Sequence, residues 1–433
     1  MQKSLDILSI STAGALDATI RPPGSKSITN RALVCAALAQ GRSTLSGVLD
    51  SEDTQVMIDA LRALGVAVEG DAAEGTLAVV GGGGKFPTDR AEIYVANSGT
   101  TIRFLTAMLA VAQGEYRLDG TPRMRERPIG DLVAALNQLG ASVTSEGAGG
   151  CPPVVINAAG LRGGAVTIRG AISSQYLSGL LMAAPYAKSP VNVQVEGTLV
   201  SQPYVHMTLA VMRSFGLTVA APRLDQISLP TGRYRGCDYA IEPDASAASY
   251  FWAAPAIAGG RVTVEGLSKN SLQGDVAFVD VLARMGCRVE RAADSITIRA
   301  AEHLRGVNVD MNAISDTVQT LAAVALFADG PTTITGVAHN RHKETDRIAD
   351  MATELRKVGA TVDELPDGLQ ITPPASFPTD SVVFDTYNDH RMAMSLSLIG
   401  LRVPGVQIRD PGCTAKTYPN FFVDLNRVTQ GTA

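Results

Sequence analysis

Five times along the chain a helix-like run closes on an apolar residue, a glycine and a short β-branched segment. The copies are ALRALGVAV around Gly65, ALNQLGASV around Gly140, VMRSFGLTV around Gly216, VLARMGCRV around Gly286 and ELRKVGATV around Gly359, and the glycines stand 75, 76, 70 and 73 residues apart. A glycine directly after a helix takes the left-handed conformation that other residues resist, and the Val- and Thr-rich run behind it suits a strand. Each unit also carries an earlier helix: NRALVCAALA, GTTIRFLTAMLAV, SSQYLSGLLMAAPYA, ASAASYFWAAPAIA, DTVQTLAAVALFA and NDHRMAMSLSLIG. These are apolar nearly all round, which places them inside the fold. A short strand such as VNVQVEG, RVTVEG or TTITG and then a polar loop separate the two helices. A unit of about 72 residues thus repeats six times. The last copy lacks the Gly signature but keeps the loop PGCTAKTYP and a final helix. Such a unit is too long and too mixed for a stacked solenoid. Three units closing around a buried helical core make one domain and six make two, with the division expected near Cys237–Asp244.

Composition agrees with a large packed interior. A chain of 433 residues exceeds one ordinary domain, and 45% hydrophobic with only 5% aromatic residues describes an aliphatic core, not a disordered chain. The net charge of −5 gives no footing for nucleic acid or an anionic membrane. Apolar runs break well short of a bilayer span. Cys35, Cys151, Cys237, Cys287 and Cys413 are odd in number, scattered and never C-x-x-C. Neither a disulfide framework nor a zinc site is expected from them, and a reducing compartment fits. MQKSLDILSI has no basic region followed by an apolar run, so no secretory signal is read and a soluble cytoplasmic protein is expected. The GGGG at Gly81–Gly84 reads as a flexible turn between strands, not a phosphate loop.

Chemistry-bearing residues collect at two places in each unit. At the starts of the first helices stand GSKSITNR (Gly24–Arg31), NSGTT (Asn97–Thr101), SSQ (Ser173–Gln175), Ser315–Asp316 and NDHR (Asn388–Arg391). In the loops before the second helices stand TPRMRERP (Thr121–Pro128), SQPY (Ser201–Tyr204), HNRHKETDR (His339–Arg347) and CTAK (Cys413–Lys416). Helix starts offer unpaired N–H groups and partial positive charge to anions. With Arg31, Arg127, Lys343, Arg347, Arg391 and Lys416 added, the pattern points to small polyanionic substrates. Each motif has a plainer meaning alone: Ser, Thr or Asp as a cap, Arg or Lys as a solvated side chain. By that plainer meaning Asp316 and Asp389 are caps and Glu344 is a surface ion pair with Lys343 or Arg347. GSKS lacks the earlier Gly of a Walker loop, which argues against an ATPase. His339 and His342 form H-x-x-H without a third ligand, which argues against a metal.

PGSKSITNRAL, NSGTTIRFL, PRMRERPIG, ISSQYLSGLL, HKETDRIADMATELRKVGA, YNDHRMAM and CTAKTYP together resemble the 5-enolpyruvylshikimate-3-phosphate (EPSP) synthase family, in order and over essentially the whole chain. The resemblance implies an α+β fold of two similar domains, each of three βαβαββ units with helices buried inside, an inside-out α/β barrel. It implies one domain from residues 1–23 plus 240–433, a second from 24–239, crossovers near 22–24 and 235–244, and substrates that draw the domains together. It implies an enzyme that transfers the enolpyruvyl group of phosphoenolpyruvate to shikimate 3-phosphate in aromatic amino-acid biosynthesis, the step that glyphosate targets. Lys26, Ser27, Arg31, Ser173, Ser174, Ser201, Tyr204, Asp316, His339 and Lys343 would hold shikimate 3-phosphate. Lys26, Gly99, Arg127, Gln175, Arg347, Arg391 and Lys416 would hold phosphoenolpyruvate. Asp316, Glu344 and Lys26 would carry protons. No metal or organic cofactor and no macromolecular partner is implied, and a monomer is expected. Two positions depart from the family pattern: Phe104 stands where many members carry Pro, and His339 where several carry Asn or Ser.

Two other readings stay open on the sequence alone. One is the sister transferase that acts on UDP-N-acetylglucosamine, although its Lys-Asn pair is Lys26–Ser27 here and no Cys lies between Cys35 and Cys151. The other is a non-catalytic sugar-phosphate-binding protein on the same scaffold.

Overall fold

The computed structural model describes residues 6–430. The first five residues, part of the segment read as lacking a secretory signal, lie outside them. The chain divides into two compact units: one runs up to Pro23 and resumes at Pro243, and the other is Gly24–Glu242.

In the Gly24–Glu242 unit the helices are α1 (Lys26–Leu38), α2 (Glu52–Ala63), α3 (Gly99–Ala110), α4 (Gly130–Gln138), α5 (Ser174–Ala183) and α6 (Gln202–Ser214). Every residue of α3, and of α1 from Ile28 onward, is buried. That burial is what a helix without a polar face requires. Three sheets surround these helices. The first runs Asp238–Ala240, Gln40–Ser46, Thr76–Gly82, Ala67–Asp71; the second Arg90–Tyr94, Gln113–Asp119, Cys151–Ala159, Val143–Gly147; the third Gly164–Arg169, Val191–Glu196, Gln226–Leu229. In each, the first pair is parallel and the rest antiparallel. In the third sheet Val166 faces Val193, which faces Ile227, so each strand turns its aliphatic residues toward the helices.

The second unit repeats the plan with α7 (Ala245–Ala258), α8 (Phe278–Arg284), α9 (Val318–Ala325), α10 (Arg347–Arg356), α11 (His390–Ser397) and α12 (Phe421–Gln430). Its sheets are Arg288–Arg291, Ser295–Arg299, Gly260–Glu265, Leu16–Ile20; then Asn308–Asp310, Thr332–Thr335, Gly368–Thr372, Thr361–Leu365; then Ile7–Ser9, Val406–Arg409, Val382–Phe384. Helices α9 and α11 are buried throughout, and α7 up to its last residue. The architecture is thus α+β, with two units of three mixed sheets on buried helices.

The repeat glycines behave as their context requires. Gly65, Gly140, Gly216, Gly286 and Gly359 follow α2, α4, α6, α8 and α10, all with φ between 80° and 111°. Three expectations need correction. No strand directly follows Gly216: 217–221 are irregular, and the next strand is Gln226–Leu229. Helix α9 starts at Val318, so Asp316 does not cap it but sits in the preceding 3₁₀ turn, Asn312–Thr317. The GGGG is a turn but a packed one: Gly81 and Gly82 finish a strand, and a Cβ on Gly84 would stand 2.5 Å from the Tyr186 ring.

Candidate active site

In the Gly24–Glu242 unit the N-terminal ends of α1, α3 and α5 carry the motif residues. Lys26 opens α1, and its Nζ lies 3.4 Å from Asp53 Oδ2 in the first turn of α2. That turn is set by a capping box between Ser51 and Thr54. Asn30 donates to Thr100 Oγ1 at 3.2 Å, tying α1 to α3. Arg31 is wholly enclosed. Its guanidinium donates to the Ser27 carbonyl at 2.8 Å, Thr208 Oγ1 at 2.7 Å, and Ser178 Oγ and the Tyr204 carbonyl at 3.3 Å each. It also stacks over the Phe104 ring at 5.1 Å, so the residue that departs from the family pattern is the floor beneath this cation. Burial pushes the Arg31 pKa down to about 10.

At the start of α3, Gly99 lets two guanidinium groups come close. A Cβ there would stand 2.6 Å from Arg127 Nη2 and 2.9 Å from Arg103 Nη1. Arg127 donates to the Asn97 carbonyl at 3.0 Å and Asn97 Oδ1 at 3.1 Å. Arg103 donates to Gln175 Oε1 at 2.6 Å and lies over the Tyr176 ring. Ser173 caps α5 by accepting from the Gln175 N–H, with Ser174 buried behind it. Ser201 precedes α6 in the left-handed region (φ 52°) and is buried. The structure therefore groups Gly99, Arg127 and Gln175, with Arg103 as the link, and separately groups Ser27 and Tyr204 around Arg31.

The second unit holds a denser cluster. Arg347, 2% exposed, binds Asp389 through Nε at 2.7 Å and Nη2 at 3.2 Å, and Glu344 through Nη2 at 2.8 Å. Its Nη1 also lies 3.5 Å from Asp316 Oδ1. Arg391 donates to Asp316 Oδ2 at 2.7 Å and to the Tyr250 hydroxyl at 3.4 Å. Lys343 Nζ is 3.6 Å from Asp316, and Lys416 Nζ is 4.0 Å from Glu344. Glu344 is 8% exposed, so it is no surface ion pair. Asp389 does cap α11 by accepting from the Arg391 N–H at 2.8 Å, and grips Arg347 as well. Burial and the neighbouring Arg347 lower the Lys343 pKa, against the pull of Asp316. His339 is also buried, and burial with Lys343 nearby pushes its pKa down to about 3, which keeps the imidazole neutral and able to donate one hydrogen bond. Asp275, hydrogen-bonded by Ser246 Oγ, is pushed up to about 6 by burial and by Asp316.

Arg347, Arg391, Lys343 and Lys416 thus surround buried Asp389 and Glu344 and partly buried Asp316, with buried Asp275 beside Asp316. Guanidinium and ammonium groups gathered this way suit an anion, and carboxylates are the kind of group that exchanges protons. Among the described residues no group of three or more His, Cys, Asp or Glu is arranged to hold a metal. Asp53, Arg103 and Asp275 escaped sequence reasoning. Asp53 reads as an ordinary first-turn acid, Arg103 lies inside an apolar helix, and Asp275 lies in a loop without a motif signal.

This architecture is that of the enolpyruvyl transferases. The enolpyruvyl transferase NikO from Streptomyces tendae shares it at a TM-score of 0.79 and 22% identity over 98% of both chains. The chain belongs to the EPSP synthase family. Residues 10–425 match the family model described as EPSP synthase (3-phosphoshikimate 1-carboxyvinyltransferase). The 3-phosphoshikimate 1-carboxyvinyltransferase of Nitrosomonas europaea is 50% identical over 95% of this chain and 96% of that one. The protein of that name from Nostoc punctiforme is 48% identical over 94% and 95%. A solved EPSP synthase from Acinetobacter baumannii superposes with a TM-score of 0.81 at 28% identity over 98% of both chains.

Proposed function

We propose that the protein transfers the enolpyruvyl group of phosphoenolpyruvate to the 5-hydroxyl of shikimate 3-phosphate and releases phosphate. The observation that carries this reading is the buried cluster in which Asp316 and Glu344 each contact Arg347. The hydroxyl adds to C2 of phosphoenolpyruvate while C3 gains a proton. The tetrahedral adduct then loses phosphate and a C3 proton to leave the enol ether. Asp316 takes the hydroxyl proton, Glu344 moves the C3 proton, and Lys26 assists at the bridging oxygen. Arg127, Gln175, Arg347, Arg391 and Lys416, with the Gly99 backbone, hold phosphoenolpyruvate and stabilise phosphate as it leaves. Lys26, Ser27, Arg31, Ser173, Ser174, Ser201, Tyr204, Asp316, His339 and Lys343 hold shikimate 3-phosphate.

The two compact units are read as its domains, with crossovers near 22–24 and 235–244; the contact division at Pro23 and Glu242 supports this. It is read as a cytoplasmic monomer. Its cysteines are unpaired, no described helix is long and apolar enough to cross a membrane, and exposed large apolar residues such as Tyr94 and Val423 lie on different elements.

The test is phosphate release. Release is expected only with phosphoenolpyruvate and shikimate 3-phosphate together. Glu344→Gln should lose most turnover while retaining substrate binding. Release with UDP-N-acetylglucosamine in place of shikimate 3-phosphate would overturn the reading, as would no release from folded protein.

A further inference from the structure

Glu354 lies on α10, seven residues beyond Arg347, and is fully buried. Seven residues are two helical turns, so Glu354 and Arg347 project from the same side of α10. Each grips the segment that precedes α11. Glu354 accepts from the Asp385 N–H at 2.9 Å and from the Tyr387 hydroxyl at 2.7 Å. Arg347 binds the Asp389 carboxylate. Between those two grips, Tyr387 (φ 53°) and Asn388 (φ 54°) are consecutive non-glycine residues in the left-handed region. Such a pair is uncommon and persists only where surrounding contacts hold it. Lys357 balances the buried charge, with its Nζ 2.6 Å from Glu354 and 2.8 Å from Asp385. Arg409 holds the other Asp385 oxygen at 2.7 Å. Beyond the turn, the Asp389 N–H donates to the Thr386 carbonyl at 2.8 Å, and Asp389 then receives both Arg347 and the Arg391 N–H.

We propose that Glu354 is a positioning residue. By holding Asp385 and Tyr387 it keeps the Tyr387–Asn388 turn in the one form that seats Asp389 against Arg347, and thereby sets where the Arg347 and Arg391 guanidinium groups face their anion. The residue touches no substrate. Its effect on catalysis rests on the reading of Arg347 and Arg391 as phosphoenolpyruvate ligands; its effect on the turn does not.

The experiment uses the full chain and three variants, Glu354→Ala, Tyr387→Phe and Glu354→Gln. Without substrate, amide exchange at Asp389 and Arg391 should quicken about tenfold in Glu354→Ala, with α7 and α12 unchanged. In phosphate-release kinetics the KM for phosphoenolpyruvate should rise about tenfold, from lost hydrogen bonds to a charged acceptor. The KM for shikimate 3-phosphate should stay within about twofold, while kcat falls because the same guanidinium groups stabilise the leaving phosphate. Tyr387→Phe should show part of the same split, and Glu354→Gln, which still accepts from Asp385, should restore most of it. Exchange that rises evenly across the unit, or an unmoved KM for phosphoenolpyruvate in an active enzyme, overturns the proposal. A wild-type protein that releases no phosphate refutes the functional reading instead, and the exchange at Asp389 and Arg391 then decides the positioning role alone.

Discussion

Lys26 Nζ stands 3.4 Å from Asp53 Oδ2, with the two side chains 12% and 4% exposed. The ammonium assigned to proton transfer is therefore anchored by a carboxylate from another helix, near the end of a chain of four methylenes that is otherwise free to rotate.

Removing that anchor should disturb catalysis more than folding. Asp53→Asn is expected to lower kcat/KM for both substrates about tenfold, because a charge-assisted contact becomes a neutral one. Steady-state phosphate release measures this; unchanged kinetics would show that Lys26 is placed without Asp53.

Gly99 has room for hydrogen only. In Gly99→Ala the new methyl must push on the Arg127 and Arg103 guanidinium groups. Displaced Arg127 should raise the KM for phosphoenolpyruvate about tenfold or more, with little change for shikimate 3-phosphate. An equal rise in both constants would contradict this.

Arg347 holds buried Asp389 and Glu344 and partly buried Asp316. Arg347→Met leaves Asp389 and Glu344 buried with fewer partners. The expected loss is about 3–5 kcal/mol of stability, read as a lower urea midpoint without substrate. A midpoint at the wild-type value would mean that water or Lys343 replaces the guanidinium.

His339 supplies a pH dependence. Its pKa is lowered from 6.5 in the unfolded chain to about 3 when folded. The unfolded state therefore binds the extra proton between those values, and stability falls as pH drops below 6.5. At about pH 5 the loss is on the order of 2 kcal/mol. His339→Asn removes this slope, so urea unfolding of the variant should change less between about pH 7.5 and about pH 5 than that of the wild type. Parallel slopes would refute it.

The fold was legible wherever local chemistry and tertiary demand agree. A glycine after the second helix of the first five units and an apolar first helix are readable residue by residue, and both are realised. Less legible were sites where a distant partner decides. Asp316 looks like a helix cap, yet Arg391, Lys343 and Arg347 claim its carboxylate, and α9 starts two residues later. Glu344 looks like a surface acid between two cations and is buried, because Arg347 turns inward to Asp389. Asp53 and Arg103 carry no local signal at all; their importance comes from Lys26 and Gln175, which lie 27 and 72 residues away in the sequence.

The strand Ile7–Ser9 pairs with Val406–Arg409, Ile7 opposite Arg409. Its partner is made about 400 residues later. At about 5–20 residues per second the ribosome needs tens of seconds to reach it, while the contiguous Gly24–Glu242 stretch can condense meanwhile. One half of the molecule can therefore be finished during synthesis. The other half keeps an open edge waiting, and that edge is where a stalled or truncated chain is most exposed to wrong pairing.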